Sequence, residues 1–188
     1  MNRYLILVKH SLPEIIEDIP AHEWHLSKEG RSRAERLAER LISYHPKVLV
    51  SSTEPKARET AEIIAVKLQV PMHTIENLHE HVRSRTGYLS KTEFQRSIRE
   101  FFANPDKLVF GNETADAAHA RFSKEVHSIL NKYTKETTVI VSHGTVISLF
   151  VSRLTGISNF QLWSNLGLPS LVVLDMGSNT LIAKENIF

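Results

Sequence analysis

Two of the ten histidines, His10 and His143, each follow closely on a short apolar run of strand length, residues 4–8 and 137–141. An imidazole so placed can act as a nucleophile, a general base or a metal ligand, or it can be a satisfied structural side chain. A lone histidine is most often the last of these. Two at separate strand ends, each beside a turn residue, shift the balance towards chemistry. Lys9 precedes the first and Gly144 follows the second. Ser51-Ser52 close a third run, 48–50, and Lys56 comes in the first turn of a helix opening near Pro55. Glu80 follows a fourth, weaker candidate strand at 70–75. An ammonium at a helix N-terminus opposes the helix dipole, so Lys56 calls for an anion; the bland alternative is a stem that snorkels into solvent. Lys9 makes the same call from another strand end. The helix that starts at Gly144 offers free N–H groups and a positive dipole end, both suited to phosphate.

The elements that must position these groups can be read from periodicity. Ser27 is a good N-cap for a helix over 28–44, with Ala34, Leu37, Ala38, Leu41 and Ile42 at helical spacing. A second helix has the stripe Ala57, Ala61, Ile64, Ala65 and Leu68. A long helix is expected over 113–133, another from 144 to about 154 before Gly156, and a terminal hairpin from 170–175 and 180–183. Residues 81–112 break the plan. An Arg-rich loop, a short helix near 92–102 and a break at Asn104-Pro105-Asp106 read as an insertion that could form a lid; Phe94, Phe101 and Phe102 form its packing face. Strands alternate with helices, so the fold class is α/β, with a mostly parallel sheet covered on both faces as a three-layer α/β/α sandwich. In such sheets ligands gather beyond the carboxyl ends of strands, where His10, Ser51-Ser52-Lys56, Glu80 and His143 all fall. One domain is expected over 1–188.

Composition narrows the classes. The 188 residues carry 23 Lys+Arg against 21 Asp+Glu, a formal charge of +2, without the concentrated basic excess of a nucleic-acid binder. There is no cysteine, which removes thiolate metal sites, disulfides and cysteine nucleophiles and fits a reducing compartment. The longest apolar stretches are too short to span a bilayer, and the N-terminus reads as a strand rather than a signal peptide. The expectation is a cytoplasmic protein with no nucleic-acid or membrane partner. Phe150, Trp163 and Leu166 could serve a homodimer contact or merely the core.

The ordered motifs carry a resemblance. Leu7-Val8-Lys9-His10-Ser11 resembles the opening signature of the histidine phosphatase superfamily, the phosphoglycerate-mutase-like enzymes, usually written Arg-His-Gly. Leu26-Ser27-Lys28-Glu29-Gly30-Arg31 is similar to the family's Leu-Ser/Thr-x-x-Gly segment. The run Ser51-Ser52-Thr53-Glu54-Pro55-Lys56-Ala57-Arg58-Glu59-Thr60-Ala61 resembles its Ser-Ser-Pro-Leu-x-Arg-Ala-x-x-Thr-Ala block. Leu78-His79-Glu80, Gly111-Asn112-Glu113-Thr114 and Val141-Ser142-His143-Gly144 are similar to its acidic residue, its Gly-Glu-Ser turn and its second histidine motif. The matches are collinear over nearly the whole chain.

The resemblance implies a small phosphorylated substrate and a two-step phosphoryl transfer. His10 would attack phosphorus and become a phosphohistidine that water hydrolyses. His143 would stabilise the transferring group, and Glu80 would protonate the leaving alkoxide from a raised pKa. Lys9, Ser11, Lys56 and Gly144 would hold phosphate, and no metal or other cofactor is implied. The family arginines are lysine here, at Lys9 and Lys56, and lysine keeps the charge but loses the planar fork. Arg83 or Arg85 in the insertion could supply a fork, or extend the rim towards an acidic substrate. Three other readings stand beside this one: a phospho-ligand-binding domain with little turnover, a mutase, and a metal hydrolase on His22 and His25, whose spacing is a weak zinc signal.

Overall fold

The computed structural model describes residues 3–83 and 89–188. Strand β1, Tyr4–Lys9, and strand β4, Thr138–Ser142, are the two centres of the sheet, and their Val, Ile and Leu side chains are buried on both faces. Strand β2 is Val48–Ser52, β3 Met72–Ile75, β5 Ser170–Asp175 and β6 Thr180–Asn186. The six strands lie in the order β3-β2-β4-β1-β5-β6. The first four run parallel, and β5 and β6 add an antiparallel hairpin at one edge.

Helices α1 (Lys28–Leu41) and α2 (Pro55–Leu68) cover one face, where Leu37, Ala38, Leu41, Ala57, Ala61 and Ile64 pack on Ile6, Val8, Leu49, Val139 and Val141. Helices α3 (Lys91–Ala103), α4 (Ala115–Lys132), α5 (Gly144–Thr155) and α6 (Asn159–Ser164) lie on the other, over Leu5, Leu7, Val48, Val50 and Ile140. The alternation of β1, with Ile6 and Val8 on one core and Leu5 and Leu7 on the other, follows from the period of two in a strand. Each fully buried leucine contributes about 1.5–3 kcal/mol, so both cores hold the sheet firmly.

Ser27 caps α1 by accepting from the Gly30 N–H, and Thr114 caps α4 through Ala117. At Gly30 a side chain is excluded because a Cβ would lie 2.0 Å from the Leu12 carbonyl oxygen. The expected helix at 28–44 stops at Leu41 and tightens into a 3₁₀ turn at Ile42–Tyr44. Helix α4 starts two residues after Glu113, because Thr114 takes the cap. Helix α6 has no counterpart in the sequence reading.

In the segment read as an insertion, Ile98, Phe101 and Phe102 of α3 are buried in the second core, so its helical part packs against the body of the protein. Among the described residues no helix is long and apolar enough to cross a membrane.

One topological fact positions the site. From β1 and β2 the chain leaves onto the α1/α2 face, whereas from β4 it leaves onto the α5 face. The strand that departs one way therefore sits beside strands that depart the other, and a crevice opens at their carboxyl ends.

Candidate active site

His10 is the first residue beyond β1, and its backbone N–H donates to the Ser142 carbonyl at 2.9 Å. That bond extends the β1–β4 ladder by one step and fixes His10 beside His143. The ring centroids are 5.2 Å apart with planes at 60°. His10 Nδ1 lies 2.7 Å from the Ser11 carbonyl oxygen, which only an N–H can satisfy, so Nδ1 carries the proton and Nε2 the free lone pair. His143 Nε2 lies 2.9 Å from the Ser52 hydroxyl, and its Nδ1 is buried with no hydrogen-bond partner among the described residues.

The charged groups gather around these rings. Lys56 is 5% exposed; its Nζ donates to the Ala21 carbonyl at 2.6 Å and to Glu54 Oε2 at 2.5 Å. Lys9 Nζ donates to the Leu166 carbonyl at 2.8 Å, and its stem passes over Gly144, where a Cβ would lie 3.2 Å from Lys9 Cε. Glu80 follows the 3₁₀ turn after β3. Its Oε2 accepts from the Thr145 N–H in the first turn of α5 at 3.2 Å, and its Oε1 from the His81 N–H at 2.8 Å. Its own N–H donates to Glu54 Oε1 at 2.8 Å.

Burial, the Lys56 ammonium and the neighbouring ring hold His10 well below the ordinary imidazole range. Burial and Lys56 do the same to His143 against the pull of Glu80. Both rings are therefore neutral near pH 7, as a nucleophile must be. Burial lowers Lys9 to about 8, partly opposed by Glu80. For Glu80 burial pushes the carboxyl up, but His143, Arg83 and the His81 N–H outweigh it and leave it below the usual range. The raised value expected from partial burial alone is thus corrected: the neighbours of this carboxylate hold it ionised.

The structure brings His10, Lys9, Lys56, Glu80 and His143 to one crevice. Arg83 joins them: its charge acts on both Glu80 and His143, its Cζ sits 4.5 Å from the Phe94 ring centroid, and Nη1 is buried without a partner among the described residues. Arg85 lies outside the described residues. Ser11 is placed differently from the expectation. Its hydroxyl donates to the Gly30 carbonyl at 2.6 Å and its N–H to Thr60 Oγ1 at 3.0 Å, so both its polar groups tie the loop after His10 to α1 and α2. Gly144 lets Lys9 pass, and the α5 end expected to face phosphate meets Glu80.

His22 is exposed and stands 3.4 Å from Glu23, in the turn whose Ala21 carbonyl accepts from Lys56. His25 Nδ1 is 2.5 Å from Glu59 Oε1, and Glu59 also accepts from the Leu26 N–H and from Arg31. Among the described residues no three metal-ligating side chains stand together. The residues missed from sequence are Glu54 and Arg121. Arg121 of α4 donates to the carbonyls of Asn77, His79 and Glu80 and pairs with Glu113 at 2.7 Å, pinning the Glu80 loop. Ser52 and Glu113 sit inside recognisable motifs; Arg121 carries no local signal.

Fold and site together define an α/β protein with two facing imidazoles at the switch point of a mostly parallel sheet. The chain belongs to the histidine phosphatase superfamily (branch 1), whose family model matches residues 6–185. It is 31% identical over 137 residues to phosphoglycerate mutase-like protein 4 of Arabidopsis thaliana, covering 68% of this chain and 59% of that protein's length. It shares its fold with the phosphoserine phosphatase of Entamoeba histolytica (TM-score 0.79, 18% identity, 98% of this chain and 97% of that one). A mycobacterial glucosyl-3-phosphoglycerate phosphatase (TM-score 0.76, 20% identity, 92% and 89%) has the same fold. So does Bacillus stearothermophilus YhfR (TM-score 0.75, 23% identity, 96% and 95%).

Proposed function

We propose that this chain is a metal-independent phosphomonoesterase that works through a phosphohistidine on His10. The observation that carries the reading is the facing pair of neutral imidazoles, one with its Nδ1 proton held by Ser11 and its Nε2 lone pair free. In the first step Nε2 attacks phosphorus; the P–N bond forms, the P–O bond to the leaving group breaks, and the alkoxide takes a proton from Glu80. In the second, water attacks the phosphoimidazole, gives its proton to Glu80 and releases phosphate. Glu80 is ionised in the free protein, and an arriving phosphoryl anion raises its proton affinity by like-charge repulsion. Lys9, Lys56, the Arg83 guanidinium and the orphaned His143 Nδ1 are suited to the charge of the transferring group.

A small phosphorylated metabolite in the cytosol fits the cationic groups gathered at Lys9, Lys56 and Arg83 and the cysteine-free composition. The chain as a whole, 1–188, is read as one catalytic domain. The test is hydrolysis of an aryl phosphate in excess chelator by the full chain. Turnover that His10→Ala abolishes supports the reading; undiminished turnover in that variant overturns it.

One observation favours a second reading, a phospho-ligand-binding domain with little turnover: Lys9 and Lys56 are already engaged by internal acceptors. It predicts thermal stabilisation by phosphate with negligible hydrolysis.

A further inference from the structure

The crevice contains a carboxylate that the mechanism does not use. Glu54 is the N-cap residue of α2, and its side chain is one-tenth exposed. Instead of capping its own helix, it reaches across the site: Oε2 to Lys56 Nζ at 2.5 Å, Oε1 to the Glu80 N–H at 2.8 Å, and Oε1 to within 3.6 Å of His143 Nε2. An ammonium has three protons to donate. Lys56 has committed one to Ala21 and one to Glu54, which leaves a single proton for any ligand. A protein anion therefore occupies the cation that a phosphoryl group would use. The second carboxylate, Glu80, sits on the N-terminal turn of α5 in the same way.

We infer that Glu54 is a specificity-determining residue of this site, a built-in counter-anion that competes with the incoming phosphoryl group for Lys56 and so favours the singly protonated, monoanionic form of a phosphate monoester over its dianion. The inference rests on the reading that the crevice takes a phosphoryl group, though not on turnover. Its physical basis is Coulombic. A ligand approaching Lys56 meets the Glu54 charge in a partly desolvated cavity, and the repulsion scales with the ligand's own charge. A dianion is penalised twice as much in free energy as a monoanion, so the fold-change for the monoanion is the square root of that for the dianion. A carboxylate that only braced the Glu80 loop would show no such dependence.

The experiment is calorimetric titration of the full chain and of Glu54→Gln with two tetrahedral probes, sulfate (a dianion) and dimethyl phosphate (a monoanion). Glu54→Gln keeps an oxygen for the Glu80 N–H and removes the charge. The expected result is that sulfate binds about tenfold more tightly to the variant and dimethyl phosphate only about threefold, in the ratio that charge scaling demands. Glu54→Leu moves the sulfate-to-dimethyl-phosphate ratio the same way, even where losing the brace weakens both. Equal changes for the two probes, or weaker sulfate binding to Glu54→Gln, overturn the inference. A chain that fails to hydrolyse phosphate esters yet shows the shifted ratio upholds it while the enzymatic reading fails. Absence of binding of either probe to any of the three proteins overturns both the inference and the phosphoryl-site reading.

Discussion

The two sides of the crevice are built on different terms. On one side His10 and His143 hang from the central strands β1 and β4, backed by core residues on both faces, and both rings are held neutral by burial. On the other, Glu54, Lys56 and Glu80 come from the segments that follow β2 and β3, and every charge is already answered within the chain. The imidazole side depends on the sheet register and changes only if the core changes. The charged side depends on a few side-chain contacts that single substitutions can retune. The position of the proposed nucleophile is thus fixed by the fold, while the charged groups proposed to set ligand charge, proton supply and pH response are placed locally.

Substitutions that separate the two sides should follow in order of size. His10→Ala, on the imidazole side, is expected to lower kcat for an aryl phosphate by at least about 10³-fold, since it removes the proposed covalent route. A single-turnover and steady-state comparison checks it; a loss below tenfold would place the nucleophile elsewhere.

Glu80→Gln, on the charged side, should lower kcat/KM, which reports the leaving-group step alone, by about 10²–10⁴-fold for an alkyl phosphate, the usual reach of a general acid–base group. The loss should be smaller for p-nitrophenyl phosphate, whose leaving group needs little protonation. Equal losses for both esters would remove Glu80 as the proton donor.

Lys9 gives the pH response. Its folded pKa is depressed to about 8 against 10.5 for the free side chain, so it is cationic below about 8 and neutral in the window above. kcat/KM, which reports the free protein, should fall above about pH 8, towards tenfold for each unit if the Lys9 charge is needed for binding. Lys9→Arg keeps its charge throughout and should carry the plateau to higher pH. A profile with the same alkaline limb in both proteins would break the link. Both imidazoles are held well below 6.5, so the acid limb should lie well below that pH.

The smallest effect crosses between the sides. Ser52→Ala removes the hydroxyl 2.9 Å from His143 Nε2. A lost hydrogen bond of about 1 kcal/mol corresponds to roughly a fivefold fall in kcat/KM, read from initial rates.

Much of this arrangement was legible in the sequence, for identifiable reasons. Continuous apolar runs at β1, β2 and β4 announce strands buried on two faces, and the groups just beyond them must then meet at one rim. Ser27 marks the start of α1 because its side-chain oxygen takes an orphan N–H. Helix α6, six residues long, is too short for a helical period to show. The sign of the Glu80 shift escaped because it depends on Arg83 and His143, which reach it only in the folded chain. Glu54 escaped for a like reason: an N-cap carboxylate is expected to serve its own helix, and only the placement of Lys56 and the Glu80 loop draws it into the crevice. Arg121 acts from a helix some forty residues on, through backbone carbonyls that have no sequence signature.

The central claim, that His10 carries the phosphoryl group, is tested most directly by trapping the protein during turnover of a ³²P-labelled substrate and digesting it. The account predicts an acid-labile, base-stable label on the peptide containing His10, absent from His10→Ala and accumulating in Glu80→Gln. Turnover by the native chain with no label on that peptide, or with the label on another residue, would contradict it.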